Sequence, residues 1–407
     1  MMSERGMVIV GGGMAGARAI VSLRANGYEG PITLVSEETL LPYDRPPLSK
    51  AMLLEEKEPQ PVHLLDDGMI ASLGAIFVRG VKAVGLDRKA KALVLEDGRA
   101  ISYDKLLIAT GAKPRRLSIE GGELAYTLRD FADGDHLRHR LRQSRSAAII
   151  GGGFIGLEVA SSARKLGLDV TLVEAQPRIL MRGVPEEIAR VVHARHVEAG
   201  VTMQVGTALK AVETDGVRLA DDRKVTAEIV VAGIGAAPEI SLAQGAGLAI
   251  DNGIACDARL QTSDPDIYAA GDCCSFPHGL FGNKRMRLEA WRNATDQANV
   301  ASENMLGGSK PYMAVPWFWS DQYDLSLQIA GNPADGPEIV KRQTGEQSFV
   351  MFHRDHEGRL VGASGIGPGN SIARDVKLAE MLIGKRAAPS AEQLADPSVQ
   401  LKVLLKG

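Results

Sequence analysis

Two stretches of the sequence carry the same ten-residue pattern and decide the fold: Met7-Val-Ile-Val-Gly-Gly-Gly-Met-Ala-Gly16 and Ala147-Ala-Ile-Ile-Gly-Gly-Gly-Phe-Ile-Gly156. Each begins with four apolar residues, continues through a G-x-G-x-x-G turn and leads into a helical stretch. A second apolar strand follows each of them, at residues 32–35 and 170–174. Strand, glycine turn, helix and strand form a βαβ unit that binds a dinucleotide, so the chain is predicted to contain two.

The glycines of each turn have separate roles. The first makes the sharp turn, the second lets the backbone approach a pyrophosphate, and the third allows close helix–strand packing. The pyrophosphate then lies at a helix N-terminus, where free N–H groups favour negative charge. The predicted contacts from the two turns are Gly11, Gly13, Ala15, Gly16, Gly151, Gly153, Ile155 and Gly156. Two dinucleotides in one chain indicate a flavin and a nicotinamide, because hydride must pass between them.

An acidic residue at the end of each second strand is predicted to bind ribose hydroxyls. In the second unit this residue is Glu174, whose carboxylate would repel a 2′-phosphate and so favour NADH over NADPH. In the first unit Ser36 occupies the equivalent place, and we assign the ribose contact to Glu37 beside it.

Both βαβ units are followed by similar segments. Residues 81–94 and 203–219 are typical of β-meanders, and each meander leads into a buried apolar strand. Those strands end in Thr110 and Gly111 in the first case and in Gly235 in the second, and these three residues are further predicted cofactor contacts. A short strand at residues 267–272 is predicted to return to the first sheet.

The pattern changes after Pro316. Residues 326–329 and 348–353 alternate as antiparallel strands do, and a helix is predicted at residues 371–383. The predicted fold class is therefore α/β, with two Rossmann-like dinucleotide-binding domains followed by a C-terminal α+β domain.

Composition excludes several classes of protein. The 407 residues are 45% apolar and 24% charged, which excludes a disordered chain, and a net charge of −3 provides no basic field for nucleic acid. No apolar signal core precedes the first strand, and no apolar run approaches membrane-spanning length. Three cysteines fit a reducing compartment. We expect a soluble, cytoplasmic protein with no membrane or nucleic-acid partner.

Six segments spaced along the whole chain carry a resemblance to one family: Pro42-Tyr-Asp-Arg-Pro-Pro-Leu-Ser-Lys50, Ala109-Thr-Gly111, residues 151–158, Tyr268-Ala-Ala-Gly-Asp272-Cys, Arg287-Leu-Glu-Ala-Trp291 and Pro316-Trp-Phe-Trp319. They resemble the FAD-dependent NADH:ferredoxin reductases that serve haem monooxygenases and Rieske-type oxygenases, a family that includes putidaredoxin reductase. The resemblance implies a glutathione-reductase-like fold. Its domains would be an FAD domain at 1–112 and 241–313, an NAD domain at 113–240 and a C-terminal domain at 314–407.

The resemblance also implies roles for individual residues. It implies flavin contacts at Arg45, Lys50, Ala83, Arg129, Asp272 and Trp291. Lys50 would stabilise the negative charge of reduced flavin, and Glu158 would pair with Lys50 near the nicotinamide, so these two are the predicted catalytic residues. From its position alone, Glu158 could instead be a first-turn acid that stabilises its helix. Trp291 is expected just before a helix at residues 293–306.

A redox disulfide near the flavin is missing. Residues 36–60 contain no cysteine, Cys273 and Cys274 are adjacent, and Cys256 stands alone, so all three are interpreted as small buried apolar residues. No cysteine cluster can hold an iron–sulfur centre, and His193 with His196 lack further ligands, so no metal is predicted. Electrons would therefore leave the flavin directly for a one-electron acceptor.

The resemblance implies FAD and NADH as cofactors and a [2Fe–2S] ferredoxin as transient, electrostatically steered partner of a monomer or weak dimer. Two alternatives stay open. One is an NADH-dependent rubredoxin, nitrite or monodehydroascorbate-type reductase on the same scaffold. The other is a redox-gated interaction flavoprotein resembling apoptosis-inducing factor.

Local basic residues are expected to attract an acidic ferredoxin, and the candidates are Lys284, Arg285, Arg287, Lys341 and Arg342. A second basic cluster, Arg138, Arg140, Arg142 and Arg145, is interpreted as a solvated helix face. Trp317 and Trp319 alternate on a predicted strand and should face one side.

Overall fold

Apolar strands organise the computed structural model, which describes residues 5–406. The chain forms two compact units. The first comprises the residues up to Asp44, Pro61–Lys113 and Pro238–Pro316; the second comprises Arg45–Gln60, Pro114–Ala237 and the residues from Trp317 onward. Each unit contains a parallel sheet, and the second unit also contains a large antiparallel sheet.

The first unit is built on a five-stranded parallel sheet. Its strands, in spatial order, are Ile267–Ala269, Lys105–Ile108, Met7–Val10, Ile32–Ser36 and Ala75–Arg79. The first and second of these pair in parallel, which confirms the prediction that the strand after residue 266 returns to this sheet. All four residues of Met7–Val10 are buried, as expected for the centre of a parallel sheet covered on both faces.

Two long helices pack together beside this sheet. The helix Met14–Ala25 buries a row of alanines with Ile20 and Leu23, and these small residues allow close contact with the helix Trp291–Met305. Ser302 in the second helix donates to the carbonyl of Ala19 in the first. The first helix ends at Asn26, before Gly27 with its left-handed φ of 82°.

The first unit also contains smaller elements. The predicted meander is an antiparallel sheet of Ala83–Asp87, Ala92–Leu95 and Ala100–Ser102. The other strands and helices are Ile254–Ala255, Cys274–His278, Lys284–Met286, Asp67–Ser72, Ser241–Gly245 and the 3₁₀ helix Gly279–Phe281.

The second unit repeats the βαβ arrangement in a four-stranded parallel sheet. Its strands, in spatial order, are Val201–Val205, Asp169–Glu174, Ser146–Ile150 and Ile229–Ala232. Its helices are Phe131–Gln143, Phe154–Lys165 and Glu186–Glu198, and its meander consists of Leu209–Glu213, Gly216–Leu219 and Lys224–Thr226. Short strands at Ala112–Pro114 and Ala236–Pro238 mark two of the places where the chain passes from one unit to the other.

A five-stranded antiparallel sheet follows Pro316, as predicted. Its strands, in spatial order, are Trp317–Gln322, Leu325–Gly331, Leu360–Pro368, Ser348–Arg354 and Glu338–Gly345. The helix expected at 371–383 spans Ala373–Gly384, and a short helix, Ala391–Ala395, comes later. The remaining 3₁₀ helices are Pro46–Ser49, Gly122–Leu124, Pro333–Asp335 and Leu401–Lys406.

The fold class of two Rossmann-like sheets with a C-terminal α+β region is confirmed by these sheets. The domain boundaries at 112, 240 and 313 stay a prediction. Within residues 5–406, no helix combines the length and hydropathy that crossing a membrane requires.

The interpretation of Arg138 as part of a solvated helix face is wrong. Only 4% of Arg138 is exposed, and its guanidinium donates to the carbonyls of Glu55, Glu56 and Lys57. Arg142, on the same helix, donates to the carbonyl of Glu55 at 2.5 Å. The short helix Ala51–Leu54 ends there, and its last carbonyls need donors that the helix cannot supply. The two arginines thereby hold the segment that follows Lys50.

Buried histidines make the stability of the protein sensitive to acid. Burial lowers the pKa of His353, in the C-terminal sheet, to about 4. The unfolded chain takes up a proton on this imidazole below about pH 6.5, whereas the folded protein does so only near pH 4. The unfolded state therefore binds more protons in this window, and stability falls as the pH falls from 6.5 to 4.

We predict that His353→Gln makes the free energy of unfolding less dependent on pH between 6.5 and 4. The slope should fall by up to about 1.4 kcal/mol per pH unit, the effect of one proton. Urea denaturation at several pH values measures it. The matched control is His356→Gln, because His356 is exposed. A slope for His353→Gln equal to that of the wild type would contradict the prediction.

Candidate functional site

The first glycine turn has the geometry that a dinucleotide cradle requires. Gly11 has a φ of 119°, and a Cβ atom on Gly16 would lie 2.0 Å from the carbonyl oxygen of Gly11. Any larger residue at position 16 would therefore push the helix away from the strand.

Open space adjoins the beginning of the following helix. A Cβ atom on Gly13 would find no heavy atom within 4 Å. The first bond inside the helix joins Ala17 N–H to the carbonyl of Gly13, and no side chain caps this end. The preceding N–H groups therefore have no partner within the helix. Free donors beside open space fit the pyrophosphate of FAD.

The other predicted contacts of the first unit lie at the carboxyl ends of its parallel strands. Thr110 and Gly111 follow Lys105–Ile108, and the hydroxyl of Thr110 donates to the carbonyl of Glu239 at 2.6 Å. Asp272 follows Ile267–Ala269. A Cβ atom on the preceding Gly271 would lie 3.4 Å from Ala15, so this corner adjoins the glycine turn. The crevice at the carboxyl ends of a parallel sheet is where such folds bind ligands.

Three further predicted contacts of this unit lie at its surface or at element ends. Glu37 is exposed directly after the strand Ile32–Ser36, and Ala83 begins the meander. Trp291 is the first residue of its helix rather than a residue before it; it is 38% exposed, and its Nε1 donates to Asp44 at 2.6 Å. Contact of these residues with FAD stays a prediction.

The second glycine turn repeats the first in the second unit. Gly151 has a φ of 103°, and a Cβ atom on Gly156 would lie 2.0 Å from the carbonyl oxygen of Gly151. A Cβ atom on Gly153 would have its nearest neighbour 3.9 Å away, and the helix Phe154–Lys165 begins there without a side-chain cap. Ile155, in its first turn, is exposed. These features fit the pyrophosphate of NADH.

Glu174 is fixed at the edge of this second cradle. It ends the strand Asp169–Glu174, and its carboxylate accepts N–H bonds from Gly152 and Gln176, both at 2.7 Å. Each oxygen keeps lone pairs for a ribose hydroxyl. Gly235, with a φ of 101°, lies beyond the neighbouring strand Ile229–Ala232, and its carbonyl accepts from Arg115 N–H.

Lys50 and Glu158 form the ion pair that the resemblance implies. Lys50 Nζ lies 2.8 Å from Glu158 Oε2, and the glutamate side chain is only 5% exposed. The hydroxyl of Ser49 donates to the same oxygen, and that of Ser320 donates to Oε1 at 2.6 Å. A buried carboxylate requires such donors. The alternative of a first-turn acid is wrong, because Glu158 is the fifth residue of the helix Phe154–Lys165.

Arg45 and Arg129 are also brought together in the second unit. Arg45 Nη1 donates to the carbonyl of Arg129 at 2.7 Å, and Arg129 N–H donates to Asp133 at 2.9 Å. Burial raises the pKa of Asp133. Both arginines therefore join the helix Phe131–Gln143 to the segment that begins at Arg45.

Ser49 and Ser320 are hydrogen-bond partners of Glu158 that the sequence analysis did not predict. Ser49 directly precedes Lys50 in the Pro-rich segment. Ser320 lies on the strand Trp317–Gln322 and points to the opposite face from Trp317 and Trp319. The two tryptophans share one face, as predicted, and their ring centroids are 5.3 Å apart. A polar residue on the other, inward face was the available signal.

The three cysteines are buried and form no disulfide. Burial raises the pKa of Cys273 to about 11 and raises the pKa of Cys274 as well. Thiols that stay protonated are poor nucleophiles and poor metal ligands. Cys256 is also buried and free, so all three behave as the small apolar residues that the sequence predicts.

One group of possible metal ligands occurs among residues 5–406. Glu58, Asp135 and His139 have ligand atoms within 4.8 Å of one another. Arg138 Nη1 lies 3.5 Å from Glu58, and His139 lies 3.4 Å from Asp135. Glu58 and His139 are exposed and Asp135 is half-buried, and nothing beyond their proximity points to a metal.

The expected basic docking residues are largely engaged elsewhere. Arg342 is wrong as a docking candidate, because it is 5% exposed and donates to the carbonyls of Asp396 and Val399 at 2.8 and 2.7 Å. Lys341 pairs with Glu187. Arg285 pairs with Asp251 and Arg287 with Glu289. Lys284 and Arg285 are both exposed.

Two known families match successive parts of this chain. Residues 5–298 match the family described as pyridine nucleotide-disulphide oxidoreductase, and residues 317–405 match that described as reductase C-terminal. The chain is 39% identical over 411 residues to the anthranilate 1,2-dioxygenase system ferredoxin–NAD(+) reductase component of Burkholderia cepacia, covering 99% of this chain and 100% of the relative. It is 38% identical over 341 residues to a rubredoxin–NAD(+) reductase of Pseudomonas putida, covering 82% and 88%.

A solved structure agrees over nearly the whole length. It is the ferredoxin reductase for the CYP199A2 system from Rhodopseudomonas palustris, with a TM-score of 0.93 and 36% identity, covering 98% of this chain and 99% of that one. Both glycine turns, the parallel sheets that carry them and the C-terminal antiparallel sheet lie within the matched regions.

We predict that Gly13→Val releases FAD from an otherwise folded protein. The valine fits the chain but fills the space beside the free N–H groups, so the affinity for FAD should fall at least about tenfold. The flavin-to-protein absorbance ratio after desalting measures this, with circular dichroism as the test of folding. Gly245→Val is the control, because a Cβ atom there also finds no neighbour within 4 Å. Full retention of FAD by Gly13→Val would contradict the assignment.

We predict that Glu174→Ser narrows the preference for NADH over NADPH about tenfold or more, since the 2′-phosphate would no longer meet a carboxylate. The measurement is kcat/KM for both nucleotides. Asp169→Ser is the control, because Asp169 lies at the opposite end of the same strand with its side chain 96% exposed. An unchanged ratio in Glu174→Ser would remove this residue from the specificity argument.

Proposed function

The chain belongs to the pyridine nucleotide-disulphide oxidoreductase family, and we propose that it is an FAD-dependent NADH:ferredoxin reductase. It transfers hydride from NADH to FAD and then single electrons to a [2Fe–2S] ferredoxin. That ferredoxin feeds a haem monooxygenase or a Rieske-type oxygenase. The observation that carries the proposal is the combination of two dinucleotide cradles with the ion pair between Lys50 and the buried carboxylate of Glu158, in a chain whose three cysteines form no disulfide.

FAD, when bound, supplies the conversion between two-electron and one-electron transfer that no side chain can provide. The first glycine turn holds its pyrophosphate, and the helix Met14–Ala25 places positive dipole charge there. The second turn and Glu174 hold NADH. Lys50 contributes a fixed positive charge, because Glu158 restrains its Nζ at 2.8 Å. These groups bind and orient the two nucleotides, which is what hydride transfer chiefly requires.

The buried cysteines and the names of two relatives both support an external one-electron acceptor. The cysteines are buried and burial keeps Cys273 protonated, so they do not support a relay for electron pairs. Electrons then leave for an external acceptor. The Burkholderia cepacia relative is named as a ferredoxin–NAD(+) reductase component of a dioxygenase system, which supports a ferredoxin. The second candidate acceptor is a rubredoxin, favoured by the name of the Pseudomonas putida relative.

We further propose a cytoplasmic location. NADH is available there, and three reduced cysteines fit its redox poise. Detection of the tagged protein in cell fractions tests this.

We predict that the FAD-loaded protein reduces ferricyanide with NADH, whereas cytochrome c is reduced slowly until a ferredoxin is added. A purified [2Fe–2S] ferredoxin from a bacterial dioxygenase system should raise cytochrome c reduction at least about tenfold, because it carries single electrons between the proteins. A rubredoxin is tested in parallel, and a larger stimulation by rubredoxin would select the second candidate.

The same assay tests direct transfer without thiols. Replacing Cys256, Cys273 and Cys274 together by alanine should leave turnover within about threefold, because in the proposed mechanism buried thiols do not take part. Loss of turnover in proportion to thiol modification in the wild type would contradict it.

A further inference from the structure

A chain of buried polar side chains runs from Glu158 through the C-terminal sheet to the helix Glu186–Glu198. Ser320 Oγ lies 2.6 Å from Glu158 Oε1, Gln322 Nε2 lies 3.1 Å from Ser320 Oγ, and His196 Nε2 lies 2.9 Å from Gln322 Oε1. All four side chains are buried, and His196 is fully so. Neither glycine turn needs this series of hydrogen bonds to adopt its geometry.

The direction of every hydrogen bond in the chain follows from its first member. A carboxylate only accepts, so the hydroxyl of Ser320 must donate its proton to Glu158. The oxygen of Ser320 then accepts from the amide nitrogen of Gln322. The amide oxygen of Gln322 accepts in turn from His196, which must therefore carry its proton on Nε2. Three donors in series point toward one carboxylate, and such aligned bonds strengthen one another.

The last member of the chain stays uncharged. Burial lowers the pKa of His196 to about 4, so at neutral pH the ring is neutral and a single tautomer satisfies Gln322. The hydroxyl of Tyr323 lies 3.5 Å from the other ring nitrogen. The neutral imidazole thus fixes the orientation of the amide without adding a charge to the interior.

The alternation of side chains along a strand places this series of hydrogen bonds next to Glu158. On the strand Trp317–Gln322, the residues Phe318, Ser320 and Gln322 share one face. The ring of Phe318 packs edge-on against Phe154, at the start of the helix that carries Glu158, with centroids 4.9 Å apart. The apolar contact sets the register of the strand against the helix and leaves Ser320 opposite Glu158.

The two oxygens of Glu158 accept hydrogen bonds from different parts of the second unit. Oε2 receives Lys50 and Ser49 from the Pro-rich segment, and Oε1 receives Ser320 from the C-terminal sheet. With Oε1 fixed, the carboxylate cannot rotate about its terminal bond, and Oε2 stays directed at Lys50. Without Ser320, one oxygen of a buried carboxylate loses the donor that this face provides.

We propose that Ser320, Gln322 and His196 are positioning residues for the hydride-transfer site, which act by holding the carboxylate of Glu158 toward Lys50. This inference rests on the proposed function, because it assigns the rate of hydride transfer partly to the C-terminal sheet. None of the three residues is argued to touch a nucleotide. Their effect reaches the reaction only through Glu158 and Lys50.

The main test is Ser320→Ala in the FAD-loaded protein. In anaerobic stopped flow, the limiting rate of flavin reduction by NADH should fall about tenfold, as expected for one hydrogen bond to a charged group. The apparent Kd for NADH should change less than about twofold. Gln322→Leu leaves the hydroxyl in place but removes its donor, and should slow reduction about threefold. Ser320→Thr restores a hydroxyl and should recover most of the rate.

A second readout does not depend on turnover. The visible absorbance spectrum of the bound flavin should change in Ser320→Ala and return in Ser320→Thr, because the charge of Lys50 is directed differently. The matched control is Ser364→Ala. Ser364 is a fully buried serine of the same sheet and bonds to a buried histidine, His353, at 3.3 Å, rather than to a carboxylate. It should leave both rate and spectrum unchanged.

The possible failures are distinguishable. If wild-type flavin is not reduced by NADH, the proposed function fails. If wild-type flavin is reduced but Ser320→Ala matches it in rate and spectrum, the positioning role is overturned while the function stands. Equal slowing by Ser320→Ala and Ser364→Ala also overturns the role, because the effect would then be a general one on the sheet. Should Ser320→Ala fail to fold, Gln322→Leu and Ser320→Thr decide by the same two readouts.

Discussion

The burial of the Glu158 carboxylate is the constraint on which the second unit depends. An unpaired charge in a protein interior costs several kcal/mol, so the fold has to deliver donors to it. They come from the Pro-rich segment, through Ser49 and Lys50, and from the C-terminal sheet, through Ser320. A single side chain on the helix Phe154–Lys165 therefore couples three parts of the chain that are far apart in sequence.

The two glycine turns show how one backbone geometry serves two nucleotides. The close approach of third glycine to first is the same in both, with a hypothetical Cβ atom 2.0 Å from the carbonyl oxygen. They differ where the second strand ends. Glu174 binds the turn itself through Gly152 N–H, whereas Ser36 in the first unit accepts from Glu38 N–H and Glu37 projects outward. The Glu174 carboxylate is hydrogen-bonded to its own glycine turn, whereas Glu37 is exposed and its contact with FAD stays a prediction.

The features predictable from sequence are those set within about ten neighbouring residues. The glycine turns, the strands around them and Glu174 at a strand end are of this kind, and so is the alternation of Trp317 and Trp319. The contact of Ser320 with Glu158 spans 162 positions and depends on the register of a strand on a helix. The predictions for Arg138 and Arg342 were wrong because a charged side chain is expected to be exposed to solvent. A guanidinium can nevertheless be buried when carbonyl groups surround it.

Arg342 has a consequence for how the sequence can drift. Its guanidinium binds Asp375 at 3.2 Å and otherwise contacts main-chain oxygens, those of Leu394, Asp396, Pro397 and Val399. Carbonyl groups are common to all residue types, so substitutions along residues 394–399 leave these bonds intact. An insertion or deletion there would displace the oxygens, and the buried cation would keep Asp375 but lose these main-chain acceptors. Selection should therefore act on the length and path of this segment more strictly than on the identity of its residues.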